Sequence, residues 1–320
     1  MAVDTSLFHN CLSVQDGYPH RFSAQQLAFY RSMGPDFTAR AECTAGIRLA
    51  FRTKAQKLQF EFQAPAFCRS RNVVDVYEDG QLVDSVRLAD MQTHGVFCYE
   101  RACAQEVRLD LWLPNTCGLQ ILDVDFGDYA PVAPGKHKRL LLGDSIFQGI
   151  CSYSPSCSIG NQWMLGEEVE AVNQSVGGAR FFPEVLETLS FTPDEIIVAL
   201  GINDVYAADD NDAKTIPTYF AKLRALWPSV PCLAITPIRT MRLLTDTVLQ
   251  KKYRAVRETI LDACSANGIE TVIGDQLVPC LSRFFNEDGV HPNDLGFMVY
   301  ALNLSKQLHA SSSFCLKEQR

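Results

Sequence analysis

Leu140-Leu141-Leu142-Gly143-Asp144-Ser145-Ile146 is a short apolar run that stops on a glycine and two polar residues. A run this short, closed by turn-forming residues, reads as a strand buried on both faces and not as one stripe of a helix. The figure recurs at Ala171 to Val176, Ile196 to Leu200 and Cys232 to Thr236. Helical spacing follows in Thr215 to Leu226 and Thr247 to Ala266, where Val256, Ile260, Leu261 and Cys264 fall on one face. Strands alternating with helices predict a doubly wound α/β domain with a parallel sheet, whose ligands gather at the carboxyl ends of the strands.

Upstream the period changes from helical to two. Leu58, Phe60 and Phe62 alternate with polar residues, as do Leu109, Leu111 and Leu113. Asn72 to Tyr77 and Leu82 to Leu88 flank Asp79-Gly80, a pair that tolerates the positive φ of a tight hairpin. Short strands with few helical patterns predict an N-terminal β-sandwich, jelly-roll-like in form. Tyr129-Ala-Pro-Val-Ala-Pro-Gly-Lys-His-Lys138 is rich in proline and glycine and reads as a linker. The expected division is residues 1–135 for the sandwich and 136–320 for the α/β domain, a size that suits two cores better than one.

Bulk composition narrows the partners. Hydrophobic residues at 47% and charged residues at 21% are ordinary globular usage. A net charge of −8 argues against nucleic acid, since phosphate binding needs many Lys and Arg. No apolar run approaches the roughly eighteen residues of a membrane span. Met1 to Asn10 lacks the basic and apolar segments of a secretory signal, which points to a cytoplasmic address. The twelve cysteines form no C-x-x-C pair and read as reduced, mostly buried thiols. Cys98 with Cys103, or Cys151 with Cys157, would need histidine or cysteine partners at knuckle spacing, which the sequence does not offer, so no metal and no cofactor is expected. Self-association into a homo-oligomer stays open.

Four short segments could carry chemistry. Ser145 stands at a strand's carboxyl end, although Gly-Asp-Ser is also an ordinary turn. Asp288-Gly-Val-His291-Pro292 places a carboxylate three residues before an imidazole, ahead of a helix carrying Leu295, Met298 and Leu302. Asp288 can orient the ring if the loop is tight, as Gly289 permits; Asp294 is accounted for by the helix dipole. The plainer alternative is an Asp-Gly turn before a helix-starting proline. Asn203 in Gly201-Ile-Asn-Asp204 could donate to an oxyanion or merely cap a helix. Ser175-Val-Gly-Gly178 could present a backbone N–H to the same oxygen, or simply enter a helix. Taken singly each segment is ambiguous, but together they supply nucleophile, base, orienting acid and oxyanion donors.

Taken together, these segments resemble the four blocks of the SGNH hydrolase superfamily, the GDSL-type esterases, over roughly Lys138 to Leu308. Gly143-Asp144-Ser145-Ile146 matches the serine block with isoleucine for the usual leucine, Gly178 matches the glycine with Gly177 as the alternative, Asn203 matches the asparagine, and Asp288 and His291 match the D-x-x-H block. Val74-Asp75-Val76-Tyr77 resembles more weakly a G-x-D-L-Y-type module found before some of these hydrolases. An α/β-hydrolase elbow would need G-x-S-x-G, whereas the residue after Ile146 is Phe147.

The resemblance implies a serine esterase with Ser145, Asp288 and His291 catalytic and an oxyanion hole of the Ser145 and Gly178 N–H groups and the Asn203 amide. Relatives of this two-domain order include carbohydrate acetylesterases, so the expected substrate is an acetylated oligosaccharide. Tyr153, Trp163 and Arg239 are candidates to contact a sugar, though each is more simply a packing or surface residue. A lipid-ester or thioester hydrolase using the same residues is the alternative, and a non-catalytic carbohydrate-binding protein the more distant one.

Overall fold

The computed structural model describes residues 3–70, 72–89, 91–162 and 169–309. The chain divides into two units, each with its own sheet structure. One takes Met1–His137, Tyr153–Ser156 and Met164–Asn173; the other takes Lys138–Ser152, Cys157–Trp163 and Gln174–Arg320.

The first unit holds two antiparallel sheets. In the larger, the strands follow the spatial order Phe8–His9, Arg48–Thr53, Val107–Trp112, Val73–Glu78 and Gln81–Arg87, with Tyr129–Pro131 also paired to Arg48–Thr53. The smaller places Lys57–Phe67 between Cys117–Asp125 and His94–Glu100. Leu58, Phe60 and Phe62 are buried while Lys57, Gln59 and Glu61 are not, the one-sided pattern the period of two requires. Val107–Trp112 is buried at every residue, because it lies inside the larger sheet with a strand on each side.

Apolar side chains from both sheets meet in one core that includes Phe51, Val76, Leu109, Leu111, Phe60, Phe97 and Ile121. Phe51 stacks on Phe126 at 4.2 Å between ring centroids and Phe60 on Phe97 at 4.6 Å. Asp79 and Gly80 adopt φ +45° and +81°, which closes the hairpin between Val73–Glu78 and Gln81–Arg87. The stretch that reads as a linker begins instead as a strand: Tyr129–Pro131 pairs with Phe51 to Thr53, and Tyr129 packs edge-on against Phe126. Alternation over three residues is too short to be visible in a proline-rich segment.

Asp75, from the Val-Asp-Val-Tyr segment, is fully buried. Its carboxylate accepts from the Ser85 hydroxyl at 2.5 Å and from the Ser156 backbone N–H at 2.6 Å. Both of its oxygens are therefore occupied within the unit, one by a side-chain hydroxyl and one by a backbone N–H. Cys43 and Cys68, far apart in sequence, lie with sulfurs 3.6 Å apart.

In the second unit His137–Gly143, Glu195–Ala199, Cys232–Ile235 and Glu270–Val272 form parallel neighbours in that order. The strand expected at Ala171 to Val176 is Val169–Asn173, which falls within the first unit; the second unit resumes at Gln174, where the chain leaves regular structure. Gln174 N–H and Val176 N–H still donate to the Leu141 and Gly143 carbonyls. The chain thus returns along one side of the strand His137–Gly143 and pairs next on the other, through Glu195–Ala199. A reversal of this kind opens a crevice at the carboxyl end of the strand where it occurs. Ser145 follows that end.

Helices Asp212–Leu226 and Thr247–Ala266 pack the sheet, the second burying Val256, Ile260 and Cys264. The last helix, Asp294–His309, buries Phe297, Tyr300, Ala301, Leu304 and Leu308. Leu295, Met298 and Leu302, apolar residues that the sequence places on this helix, form its exposed side at 44%, 47% and 54% exposure. Among the described residues no helix is long and apolar enough to cross a membrane.

Candidate active site

Gly143 ends the central strand, and Asp144 caps the one-turn helix Ser145–Gln148 by accepting from the Ile146 N–H at 2.9 Å. Gly149, at φ +76°, closes that helix in the left-handed region. Ser145 therefore occupies the first helical position, where the backbone N–H has no partner within the helix. Its Oγ lies 2.8 Å from His291 Nε2.

His291 arrives on the loop before the last helix. Asp288 Oδ2 accepts from His291 Nδ1 at 2.6 Å, while Oδ1 accepts from the backbone N–H groups of Val290 and His291 at 2.8 and 3.0 Å. Gly289 takes φ +67°, which lets the chain turn within the three-residue interval. Partial burial disfavours the Asp288 anion, but the hydrogen bonds from His291 and Val290 outweigh it and hold the carboxyl below its ordinary pKa. An ionised Asp288 fixes the ring with its proton on Nδ1 and leaves Nε2 to accept from Ser145.

The glycine and asparagine segments meet at the same strand ends. Gly201 adopts φ +118° at the start of the helix Ile202–Tyr206, and a Cβ there would meet Pro237 Cγ at 2.8 Å. Asn203 does not cap this helix; its Nδ2 donates to the Ala179 carbonyl at 2.9 Å. That uses one amide hydrogen and leaves the second for another acceptor. Gly177 N–H donates to the Gln148 side-chain oxygen at 2.7 Å. Of the two glycines, Gly178, at φ +84°, is the one whose N–H is not committed to Gln148.

Arg180 adds a second tie between these segments, reaching Asp204 Oδ1 at 3.2 Å and both Asp209 oxygens at 2.8 and 2.9 Å. Burial pushes Asp204 up to about 6 even with the Arg180 guanidinium beside it. Asp144, wholly buried and close enough to feel Asp204, is pushed up to about 7.

This elevation has a sign that can be checked. Between about pH 4 and 7 the folded chain keeps a proton on Asp144 that the unfolded chain releases, so stability falls as pH rises through that window. Asp144→Asn keeps an oxygen for the Ile146 cap and removes the titration. Its stability relative to the parent, followed by urea unfolding, is expected to rise by about 2 kcal/mol between pH 5 and pH 8. Parallel stability profiles for the two proteins would show that Asp144 is not held protonated.

Sequence alone does not single out Gln148 and Arg180, since nothing in their spacing marks a partner some thirty residues away. Cys151 lacks knuckle spacing, yet its sulfur, one Asp288 oxygen and one His291 nitrogen all lie within 4.8 Å of one another. Of the three sugar-contact candidates, Tyr153 is 48% exposed, Arg239 is exposed and its charge partly offsets the burial that raises the pKa values of Asp275 and Cys280, and Trp163 lies outside the described residues.

Residues 141–299 match the family described as GDSL-like lipase/acylhydrolase. The chain thus carries a GDSL-like, or SGNH, lipase/acylhydrolase domain. No curated protein matches it in sequence. Solved structures with the same fold include the salicylyl-acyltransferase SsfX3 from a tetracycline biosynthetic pathway, at TM-score 0.79 and 19% identity over 95% of this chain and 94% of that one. An acetyl xylan esterase from the rumen bacterium Butyrivibrio proteoclasticus aligns at TM-score 0.64 and 14% identity over 96% of each chain. A family two carbohydrate esterase from Clostridium thermocellum, solved with cellohexaose, aligns at TM-score 0.61 and 17% identity over 82% of this chain and 91% of that one. The family match supports acyl-hydrolase activity on carboxylic esters, and the solved structures show the fold.

Proposed function

We propose that the chain is a serine esterase that removes small acyl groups, acetyl foremost, from O-acylated carbohydrate through an acyl-enzyme on Ser145. The observation that carries this reading is the hydrogen-bonded sequence Ser145 Oγ to His291 Nε2 at 2.8 Å and His291 Nδ1 to Asp288 Oδ2 at 2.6 Å. Ser145 Oγ attacks the ester carbonyl as its proton passes to His291 Nε2. The tetrahedral intermediate collapses, and His291 returns that proton to the departing sugar oxygen. A water then gives its proton to His291 and attacks the acyl carbon, and the proton goes back to Ser145 Oγ as the acid leaves. The oxyanion of each tetrahedral intermediate is held by the Ser145 and Gly178 N–H groups and the second Asn203 amide hydrogen.

In this reading residues 136–320 hold the chemistry and 1–135 form the accompanying sandwich. The names of two relatives, an acetyl xylan esterase and a carbohydrate esterase solved with cellohexaose, support a carbohydrate substrate. Acetate release from a panel of acetylated oligosaccharides, together with p-nitrophenyl esters of increasing chain length, tests the reading. Acetate esters are expected to exceed butyrate and longer esters in kcat/KM by tenfold or more. A preference for long chains, or for thioesters, would replace the acetylesterase by a lipid-ester or thioester hydrolase.

A further inference from the structure

We propose that Cys151, His291 and Asp288 form a binding site for a divalent transition-metal ion of the zinc type, and that the ion occupying it switches hydrolysis off. A thiolate, an imidazole and a carboxylate are the donors such ions take, and these three present ligand atoms within 4.8 Å of one another. In a tetrahedral zinc site with bonds of roughly 2.0 to 2.3 Å, ligand atoms sit about 3.3 to 3.7 Å apart. Asp288 Oδ2 and His291 Nδ1, 2.6 Å apart in their hydrogen bond, open to that spacing as the proton between them is released, with the Cys151 sulfur already within 4.8 Å of both residues.

Both supports are fixed. Cys151 follows a turn in which the Gly149 and Ile150 N–H groups both donate to the Ser145 carbonyl. On the other side, Asp288 is pinned by the Val290 and His291 N–H groups, and the Met241 N–H donates to the Gly289 carbonyl. Three donors leave a fourth position for water or for Ser145 Oγ. Mg²⁺ and Ca²⁺, which take six or more oxygen ligands, fit this set poorly.

The consequence for hydrolysis rests on the esterase reading and holds for either imidazole nitrogen. An ion on Nε2 occupies the atom that would accept the Ser145 proton. An ion on Nδ1 displaces the bond to Asp288 and releases the ring from its orientation. Cys151 has no part in the acyl-transfer cycle, which makes it the residue to vary.

The test titrates the metal-free protein with Zn²⁺ in a calorimeter and with Co²⁺ under visible and near-ultraviolet absorption. One ion per chain is expected at the site, with a thiolate-to-cobalt charge-transfer band. Cys151→Ser is expected to bind Zn²⁺ at least tenfold more weakly and to lose the band. Equal Zn²⁺ affinity in the two proteins, or a cobalt complex without the band, overturns the site. Ester hydrolysis by the parent is expected to fall at least tenfold at saturating Zn²⁺ and to recover with chelator, while Cys151→Ser hydrolyses normally and resists the metal. Full activity with Zn²⁺ bound through Cys151 overturns the switch. The binding arms need no substrate, so a chain that hydrolyses none of the esters offered would sink the esterase reading and leave the metal site to be decided by affinity and absorption.

Discussion

Ser145→Ala is expected to lower kcat for an acetate ester by roughly 10⁴- to 10⁶-fold, and His291→Ala by a similar factor, with melting temperatures close to the parent's. The size follows from removing the atom whose bond to the acyl carbon defines the pathway. Ser145 and His291 share one proton across 2.8 Å, so the two changes are expected not to add. With the serine absent there is no hydroxyl for the imidazole to deprotonate, and the double variant should retain about the same residual rate as either single one. Single-turnover and steady-state rates on p-nitrophenyl acetate measure this. Activity in Ser145→Ala within tenfold of the parent would remove Ser145 as nucleophile.

Asn203→Ala is expected to cost about 100- to 1,000-fold in kcat, the usual effect of deleting one oxyanion donor. Its amide does two things that can be separated. One hydrogen holds the Ala179 carbonyl at 2.9 Å, a structural tie between the glycine segment and the helix Ile202–Tyr206. The other is assigned to the oxyanion, which exists only in the tetrahedral intermediate and the transition states flanking it. Loss of the tie alone would shift the melting temperature and raise KM, with kcat moving little, because Arg180 independently joins the same segments through Asp204. Loss of the oxyanion bond lowers kcat and leaves KM nearly constant. A variant with parental kcat would take Asn203 out of the site.

What sequence makes legible is what local physics determines. Phe60 and Phe62 can be assigned to one sheet face because side chains alternate along a strand, and Asp79-Gly80 reads as a hairpin because both residues accept positive φ. The parallel strands are visible as apolar runs since burial on both faces leaves no alternation to blur. Asp288 and His291 can be paired on paper because three residues with a glycine between them can turn back on themselves.

Other features depend on partners supplied far along the chain. Neither Gln148 nor Gly177 announces the other; their bond exists because a strand-end helix and a returning loop lie on one crevice. Cys151 reads as inert in sequence for the same reason, since its neighbours His291 and Asp288 are supplied by the sheet's topology and not by local spacing. Leu295, Met298 and Leu302 show the limit of periodicity on a helix that is apolar on more than one side. Phe297, Tyr300, Leu304 and Leu308 carry the same spacing, and only the packed structure says which stripe is buried.

The four-residue stretch Asp288 to His291 gives base and acid a common carrier. Asp288 grips the backbone N–H of the very histidine whose ring it orients, so acid and base hold their mutual geometry through bonds inside the loop, while Met241 and Arg242 anchor that loop from outside. Gentle heating or dilute denaturant should therefore disable hydrolysis by withdrawing this loop from Ser145 as one piece before the pair itself comes apart. Inactivation of that kind reverses on cooling without any step in which acid and base must find each other again.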